Sequence, residues 1–264
     1  MGPLYMFVLN DFLNWMWCLC IVSEINPLRD TAYGFLFENR HGHSLFNWLV
    51  FTFVWGYMAG INGLAGHELI HRRDPFNKLI GMFAFTKILY SHFLLEHANG
   101  HHRNVATQED PATALHGETL YSFAVRSAIG GHVNTYKREV NRITAEFEDC
   151  YSDRTQAKQK VPQLSLITQN RMLWFFILHV SILTVIWFVF GYKGVLFQLA
   201  YASVGIFFLE MTNYIEHYGL LRKRDARGIY EPITEQHSWN SCSSTLLFRI
   251  QRHSDHHVHA YRPY

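Results

Sequence analysis

MLWFFILHVSILTVIWFVFGYKGVLFQLAYASVGIFFLEMTNYI, residues 172–215, reads as two apolar runs, Met172–Tyr192 and Gly194–Ile215, joined at Lys193 and its flanking residues. Each run is long enough to span a bilayer, which takes roughly 17–25 helical residues. So short a joint sends the second run back alongside the first as an antiparallel helical hairpin. Two more such runs lie upstream: Leu4–Val22, with Asp11 as its only charge, and Ser44–Gly66, with none. Four runs with almost no polar face lack the amphipathic pattern of helices that meet water. The expected fold is therefore an all-α integral membrane domain with four transmembrane helices, at about 4–22, 44–66, 172–192 and 194–215. The first run lacks a basic start and a small-residue cleavage site, so it reads as a retained span rather than a signal peptide.

A fifth run, Phe76–His97, is interrupted by Lys78, Lys87 and His92. A lysine at mid-membrane costs about 2.5–3.5 kcal/mol on an insertion scale, so this run reads as an interfacial helix with its lysines at the surface. Charge placement agrees. Of 23 Lys and Arg, only Arg29, Arg40 and Lys193 fall in the two loops on one side, and positive residues favour the cytoplasm. The chain is expected to start and end inside, as a multi-pass protein of the plasma or inner membrane if bacterial. Residues 112–170, of mixed charge, read as a cytoplasmic cap with some helix, and 1–264 as one domain.

Composition excludes other classes. The net charge is +2 and no basic block forms a nucleic-acid footprint. Cys18, Cys20, Cys150 and Cys242 form no CxxC pair, so neither a disulfide framework nor a thiolate metal site is indicated. The 17 histidines stand out.

Nine of those histidines fall in four clusters: His67 and His71 in HELIH; His97, His101 and His102 in EHANGHH; His217 in NYIEHYG; His253, His256 and His257 in HSDHH. Residues at i, i+3 and i, i+4 share a helix face. Two imidazoles so placed can point at one metal ion, and an adjacent third can turn to a second ion. Neutral imidazole suits iron, zinc, copper and nickel. Nine ligands exceed one coordination sphere and suit two ions. All four clusters map to the cytoplasmic ends of the expected spans. HELIH alone also fits the HExxH zinc-protease pattern, but that reading leaves seven histidines unexplained. A non-catalytic metal carrier would favour ligands inside the spans. The remaining eight, His41, His43, His92, His116, His132, His179, His237 and His259, read as ordinary structural or surface histidines; His179 is expected to bond a neighbouring helix.

The order HxxxH, EHxxGHHxxVATxEDPA, NYIEHYGLLR, QRHSDHH closely resembles the integral-membrane alkane omega-hydroxylases (alkane 1-monooxygenases) and the xylene monooxygenase hydroxylase component, within the membrane fatty acid desaturases and hydroxylases. The resemblance runs from about Gly60 to His257. It implies a desaturase-like fold with a cytoplasmic diiron cap, two non-haem irons on the nine histidines above, and O2 as co-substrate. The reaction implied is hydroxylation of a terminal alkyl or aryl-methyl C–H bond to a primary alcohol. The alternative is a fatty acid desaturase or other lipid hydroxylase with the same centre. The implied partners are rubredoxin or ferredoxin with a reductase, and a lipid-soluble alkane, fatty acyl or methylarene substrate. Gln108 stands where the family usually has proline, and Thr113 where it has serine. The family usually carries two more N-terminal spans and a longer C-terminal segment, so the chain is expected to be a fragment or a trimmed member.

Carboxylates that hold a ligand's second ring nitrogen fix its tautomer. Glu68, Glu96, Glu109, Asp110, Glu210, Glu216 and Asp255 are candidates, with Glu210, Glu216 and Asp255 singled out and the first two preferred. Trp48, Phe51, Trp55, Phe207 and Phe208 are candidates to line a substrate path, though core packing is their commoner role. Asn62 fits either the site or a helix backbone. The basic stretch Leu221–Arg227, LRKRDAR, could dock an acidic electron carrier, or simply flank the last span.

Overall fold

In the computed structural model the described residues are 2–37, 44–149, 161–241, 252–260 and 262, and among them there are helices and no strand. The long elements are α1 (Gly2–Val22), α2 (Leu45–Ile70), α6 (Leu120–Asp149) and α8 (Arg171–His217). Shorter ones are α3 (Pro75–Thr86), α4 (Phe93–Glu96), α5 (His102–Asn104), α7 (Gln163–Thr168) and α9 (His253–Val258). Among the described residues three helices, α1, α2 and α8, are long and apolar enough to cross a membrane.

The 47 residues of α8 do not run straight. Gly191 breaks the helix at φ 66°, ψ −168°, backbone that a side chain would strain. A straight helix would set His179 and Glu210 about 46 Å apart, at 1.5 Å per residue. Yet His179 Nε2 bonds Ser91 Oγ at 2.8 Å, and Glu210 accepts from the Tyr90 hydroxyl at 2.8 Å. Partners adjacent in sequence place the two legs, 171–190 and 192–217, side by side. The hairpin read from 172–215 is present, and its turn sits at Gly191, two residues before Lys193.

The second leg packs on α2 through small residues. A Cβ at Gly60 would lie 2.8 Å from Phe208 Cβ, and one at Gly56 2.6 Å from Val204 Cβ. Glycine at both places lets the backbones approach closely, as apolar helix pairs do in lipid. Asn62 lies in the same helix, and its Nδ2 donates to the Phe7 carbonyl of α1 at 3.3 Å, so it serves the backbone rather than the site.

The expected helix over 76–97 is broken. Asp74 caps α3 by accepting from the Asn77 N–H, Pro75 opens it, and it stops at Thr86. The chain then turns, with Leu89 at φ 56°, before α4. Lys87 is not at the surface: its side chain is 3% exposed and ion-paired with Asp11 of α1. Its carbonyl accepts from Gln198 Nε2 at 2.6 Å, and Gln198 Oε1 accepts from Trp15 at 2.7 Å. The charge that looked too costly to bury has a partner far away in sequence, which no local pattern reveals. The longer helical part, α3, does expose an apolar stripe of Phe76, Leu79 and Phe83.

The expected cap over 112–170 is mainly α6. Its buried face steps by four residues through Phe123, Ser127, Gly131, Thr135 and Glu139. Glu139 accepts from Arg171 Nε at 2.9 Å and Nη2 at 2.5 Å, and from Arg142 at 3.1 Å, which ties α6 to the start of α8.

A candidate dinuclear metal centre

The last turn of α2 delivers His67, and His71 follows as its C-cap, ring centroids 4.9 Å apart. After α4 the helix widens into a π turn, His97–His101, before α5. His217 ends the hairpin, and α9 carries His253, His256 and His257. All nine sequence-identified histidines converge here. They sort into two groups, His67, His71, His97, His102 and His256 in one, and His101, His217, His253 and His257 in the other; within each, the ligand atoms lie within 4.8 Å of one another. The groups adjoin, with the rings of His102 and His257 stacked at 4.5 Å.

The sorting departs from simple helix spacing. His67 and His71, at i, i+4, share a group, as do His253 and His257. His97 and His101 have the same spacing and are divided. On the π turn the residue five along comes into line: the His102 N–H bonds the His97 carbonyl, and His97 pairs with His102 instead. Gly100 makes room beside this turn, since a Cβ there would collide with the Arg138 guanidinium.

The nitrogen geometry suits cations better than hydrogen bonds. In the first group His97 Nε2 lies 2.6 Å from His67 Nε2 and 3.0 Å from His102 Nε2, which in turn is 3.0 Å from His256 Nε2. In the second, His217 Nε2 lies 3.1 Å from both His101 and His253 Nε2, and His253 is 2.9 Å from His257. A ring nitrogen has one in-plane position, holding either a proton or a lone pair, so it serves one such contact and not two. Lone pairs converging on one ion would satisfy each set at once. The donor set is all imidazole and fits a borderline transition-metal ion such as iron or zinc.

Electrostatics point the same way. Burial, reinforced by the neighbouring rings, lowers the pKa of His97, His102, His256 and His257 well below the usual imidazole value, and that of His71 to about 4. Neutral rings are the ligating form. His101 differs: burial alone would lower it, but the Asp110 carboxylate on its Nδ1 outweighs that and raises it.

Asp110 is the clearest orienting carboxylate. Its Oδ2 lies 2.8 Å from His101 Nδ1 and accepts from Thr113 Oγ1 at 2.7 Å, while Oδ1 accepts from the Ala112 N–H at 3.0 Å. Both side chains are fully buried. Thr113, one of the two departures from the family pattern, thus acts through the carboxylate. Ser238, which no sequence pattern singled out, lies 3.4 Å from His217 Nδ1.

The preferred carboxylates take other places around the cluster. Glu210 accepts from Tyr90. Glu216 lies 3.3 Å from His253 Nε2, the ring nitrogen that points into the histidine group, rather than behind the ring at Nδ1. Asp255, a third exposed, lies 3.1 Å from His259 Nδ1. Glu68 pairs with Arg72, Glu109 pairs with Arg224, and Glu96 is buried. The signal for Asp110 over these was its place nine residues after His101 in a loop rather than on a helix, which does not fix a direction by itself.

A small cavity meets the centre, and its lining combines the apolar Leu64, Phe93 and Leu209 with Glu216 and the site histidines His67, His97 and His253. The suggested path aromatics lie away from it. Trp55 packs on Trp17 and Phe51, Phe51 on Phe197, Phe208 on Tyr57, and Phe207 on Tyr121. In the 221–227 stretch, Arg222 donates to the carbonyls of Val105, Arg103 and Glu231, Arg224 pairs with Glu109, and Arg227 with Asp225. Of the remaining histidines, His92 and His132 stack on each other at 3.4 Å, and His41 and His43 lie outside the described residues, as do Cys150 and Cys242.

Residues 45–264 match the fatty acid desaturase family model. The chain belongs to the fatty acid desaturase family. This desaturase-family chain is 37% identical over 210 residues to an alkane 1-monooxygenase of Ectopseudomonas oleovorans, covering 77% of the chain and 49% of that protein. It is 31% identical over 237 residues to alkane 1-monooxygenase 2 of Alcanivorax borkumensis, covering 88% of the chain and 57% of that protein. It is 23% identical over 209 residues to a xylene/toluene monooxygenase hydroxylase component of Pseudomonas putida, covering 78% and 51%. The chain spans about half the length of these curated relatives. Its long apolar helices make this desaturase-family chain an integral membrane protein.

Proposed function

We propose that this chain is the metal-binding core of a membrane diiron monooxygenase that hydroxylates a terminal alkyl or aryl-methyl carbon to a primary alcohol. The observation that carries the reading is the pair of adjacent, buried all-histidine groups at the end of an apolar hairpin. The likeness to alkane 1-monooxygenases supports it. Two irons held by His67, His71, His97, His102 and His256 and by His101, His217, His253 and His257 would supply the O2-dependent oxidation of an unactivated C–H bond.

The chain's own residues do the rest. Asp110 keeps His101 presenting Nε2, and Ser238 faces the second nitrogen of His217. Leu64, Phe93 and Leu209 offer an apolar approach on which a hydrocarbon end displaces water before it meets the histidines. Glu216 offers an oxygen on the metal-facing side. On this reading the two legs of α8 cross the membrane separately, giving four crossings in one desaturase-type domain, with the centre on the cytoplasmic face. Electrons come from an external carrier of the rubredoxin or ferredoxin class. That carrier finds little free charge at 221–227, where three of the four cations are tied down.

Desaturation or hydroxylation of a fatty acyl chain would use the same centre, and products separate these: an alcohol or a double bond. The protease reading loses support, because Glu68 pairs with Arg72 and His67 and His71 share their site with three further histidines. The test is metal content of the purified protein together with product analysis on an alkane and a methylarene with a supplied reductant. The expected result is about two irons per chain and a primary alcohol. About one zinc per chain, or metal-loaded protein that consumes no O2, overturns it.

A further inference from the structure

The outer face of α6 has no role in the metal centre. Opposite its buried face it exposes Tyr121, Val125, Ile129, Val133 and Tyr136, spaced by four, four, four and three residues. Tyr121, Val125 and Ile129 are each more than 60% exposed. Between Tyr121 and Tyr136 the one Lys, Arg, Asp or Glu is Arg126, whose guanidinium turns back to Glu118 and to the Pro111 and Thr113 carbonyls, and the exposed polar side chains are Ser122 and His132. The character then changes: Lys137, Asn141, Glu146, Glu148 and Asp149 are exposed beyond it. A contiguous apolar face this large on one helix marks a covered surface rather than one that meets water.

Position identifies what covers it. At one end Tyr214 of the second leg of α8 donates to the Glu118 carbonyl at 2.6 Å, and the Tyr121 ring stacks on Phe207 at 6.1 Å. Further along, Glu139 is clamped to Arg171 at the start of the first leg. The helix therefore crosses from one leg of the apolar hairpin to the other at the end that carries His217. The hairpin's own outer surface, with Leu196, Leu199 and Ile215 exposed, faces lipid in an integral membrane protein. Through Phe207 and Tyr121 the outer face of α6 continues that surface.

We propose that Tyr121–Tyr136 of α6 lies in the interfacial layer of the bilayer with this stripe against lipid, and that the helix leaves the membrane at Lys137. About 24 Å of helix, at 1.5 Å per residue, then lies along the membrane surface beside the metal centre. An apolar face on a helix lying in the interface, with tyrosines at both ends at headgroup level, has the composition such helices show. The cap beside the centre is thus partly a membrane element.

The test uses the full chain reconstituted in phosphatidylcholine vesicles, with its native cysteines replaced and an environment-sensitive fluorophore placed on V125C, I129C or V133C. N141C and A145C serve as outer positions beyond Lys137, and L199C on the hairpin reports insertion of the chain itself. Lipid-attached nitroxide is expected to quench positions 125, 129 and 133 several-fold more than 141 and 145, with aqueous iodide in the reverse order. Equal iodide quenching at all five α6 positions overturns the proposal. So does a shielded label at 125–133 that lipid nitroxide fails to quench, because a protein surface then covers the stripe. A second measurement needs no substitution: a lipid-soluble carbene reagent should mark the tryptic peptide Ser127–Lys137 of the unaltered protein, and an unmarked peptide alongside a marked hairpin overturns the proposal equally.

Discussion

Asp110→Asn tests the second histidine group through one atom. In the structure Asp110 Oδ2 faces two donors, His101 Nδ1 and Thr113 Oγ1, and Oδ1 faces a third, the Ala112 N–H. Asparagine is the same size but has one oxygen and one NH2 group. If its oxygen takes the Oδ2 place, the NH2 faces the Ala112 N–H, donor against donor. If it flips, the NH2 faces His101 Nδ1, which must give up its proton; the proton then sits on Nε2, the nitrogen that would bind metal. The first arrangement leaves a fully buried donor opposed, at about 1–3 kcal/mol, and the second puts a proton on the nitrogen needed for the metal. Loss of an outer hydrogen-bond partner typically weakens metal affinity 10–100-fold, about 1.4–2.7 kcal/mol, so the two estimates agree. The assay is titration of metal-stripped protein with Co(II), whose d–d bands report each site. The first group, which does not touch Asp110, should fill as in the parent, while the second should fill 10–100-fold more weakly. Equal binding at both sites, or equal loss at both, would refute the assignment of Asp110 as the orienter of His101.

Further outcomes follow from other contacts. His102→Ala should weaken the first group and His257→Ala the second; identical metal loss in both variants would mean the two groups are not separate sites. Lys87→Met strands the buried Asp11 carboxylate and should cost about 3–5 kcal/mol in thermal unfolding in detergent. Adding Asp11→Leu should recover most of that, and no recovery would show that the pair is not what couples the two. The Glu139 carboxyl would be raised by burial, but Arg171 and Arg142 outweigh this and hold it at about 2. A lowered folded-state pKa stabilises above the unfolded carboxyl value of about 4.3 and is lost as pH falls from there towards 2. Glu139→Gln should therefore flatten the acid limb of stability against pH, and an unchanged limb would count against the clamp.

Local chemistry carried much of this protein. The runs over 4–22, 44–66 and 172–215 are apolar on every face, a property that needs no partner to be read, and each became a long helix. The nine histidines were legible because metal ligation demands particular atoms at short sequence spacing, and all nine converge. Tertiary structure decided what depends on groups distant in the chain. Lys87 looked like a surface residue because Asp11, which neutralises it, lies on another helix; burial of a charge depends on its partner, not on its neighbours. His97 and His101 were spaced to share an ion, and the π turn divided them, since a one-residue change in helical pitch redirects a ring by a quarter of a turn or more. Seven carboxylates were possible orienters, and only the loop geometry around Thr113 aimed Asp110 at His101. The apolar stripe of α6 was present as a four-residue period, but polar residues between its members masked it. Only the packing of Phe123 and Glu139 against the hairpin, and of Gly131 against Glu96, established which side was left outside. Spacing along one helix selects residue types and faces; which faces meet depends on how the hairpin, the π turn and the cap close on one another.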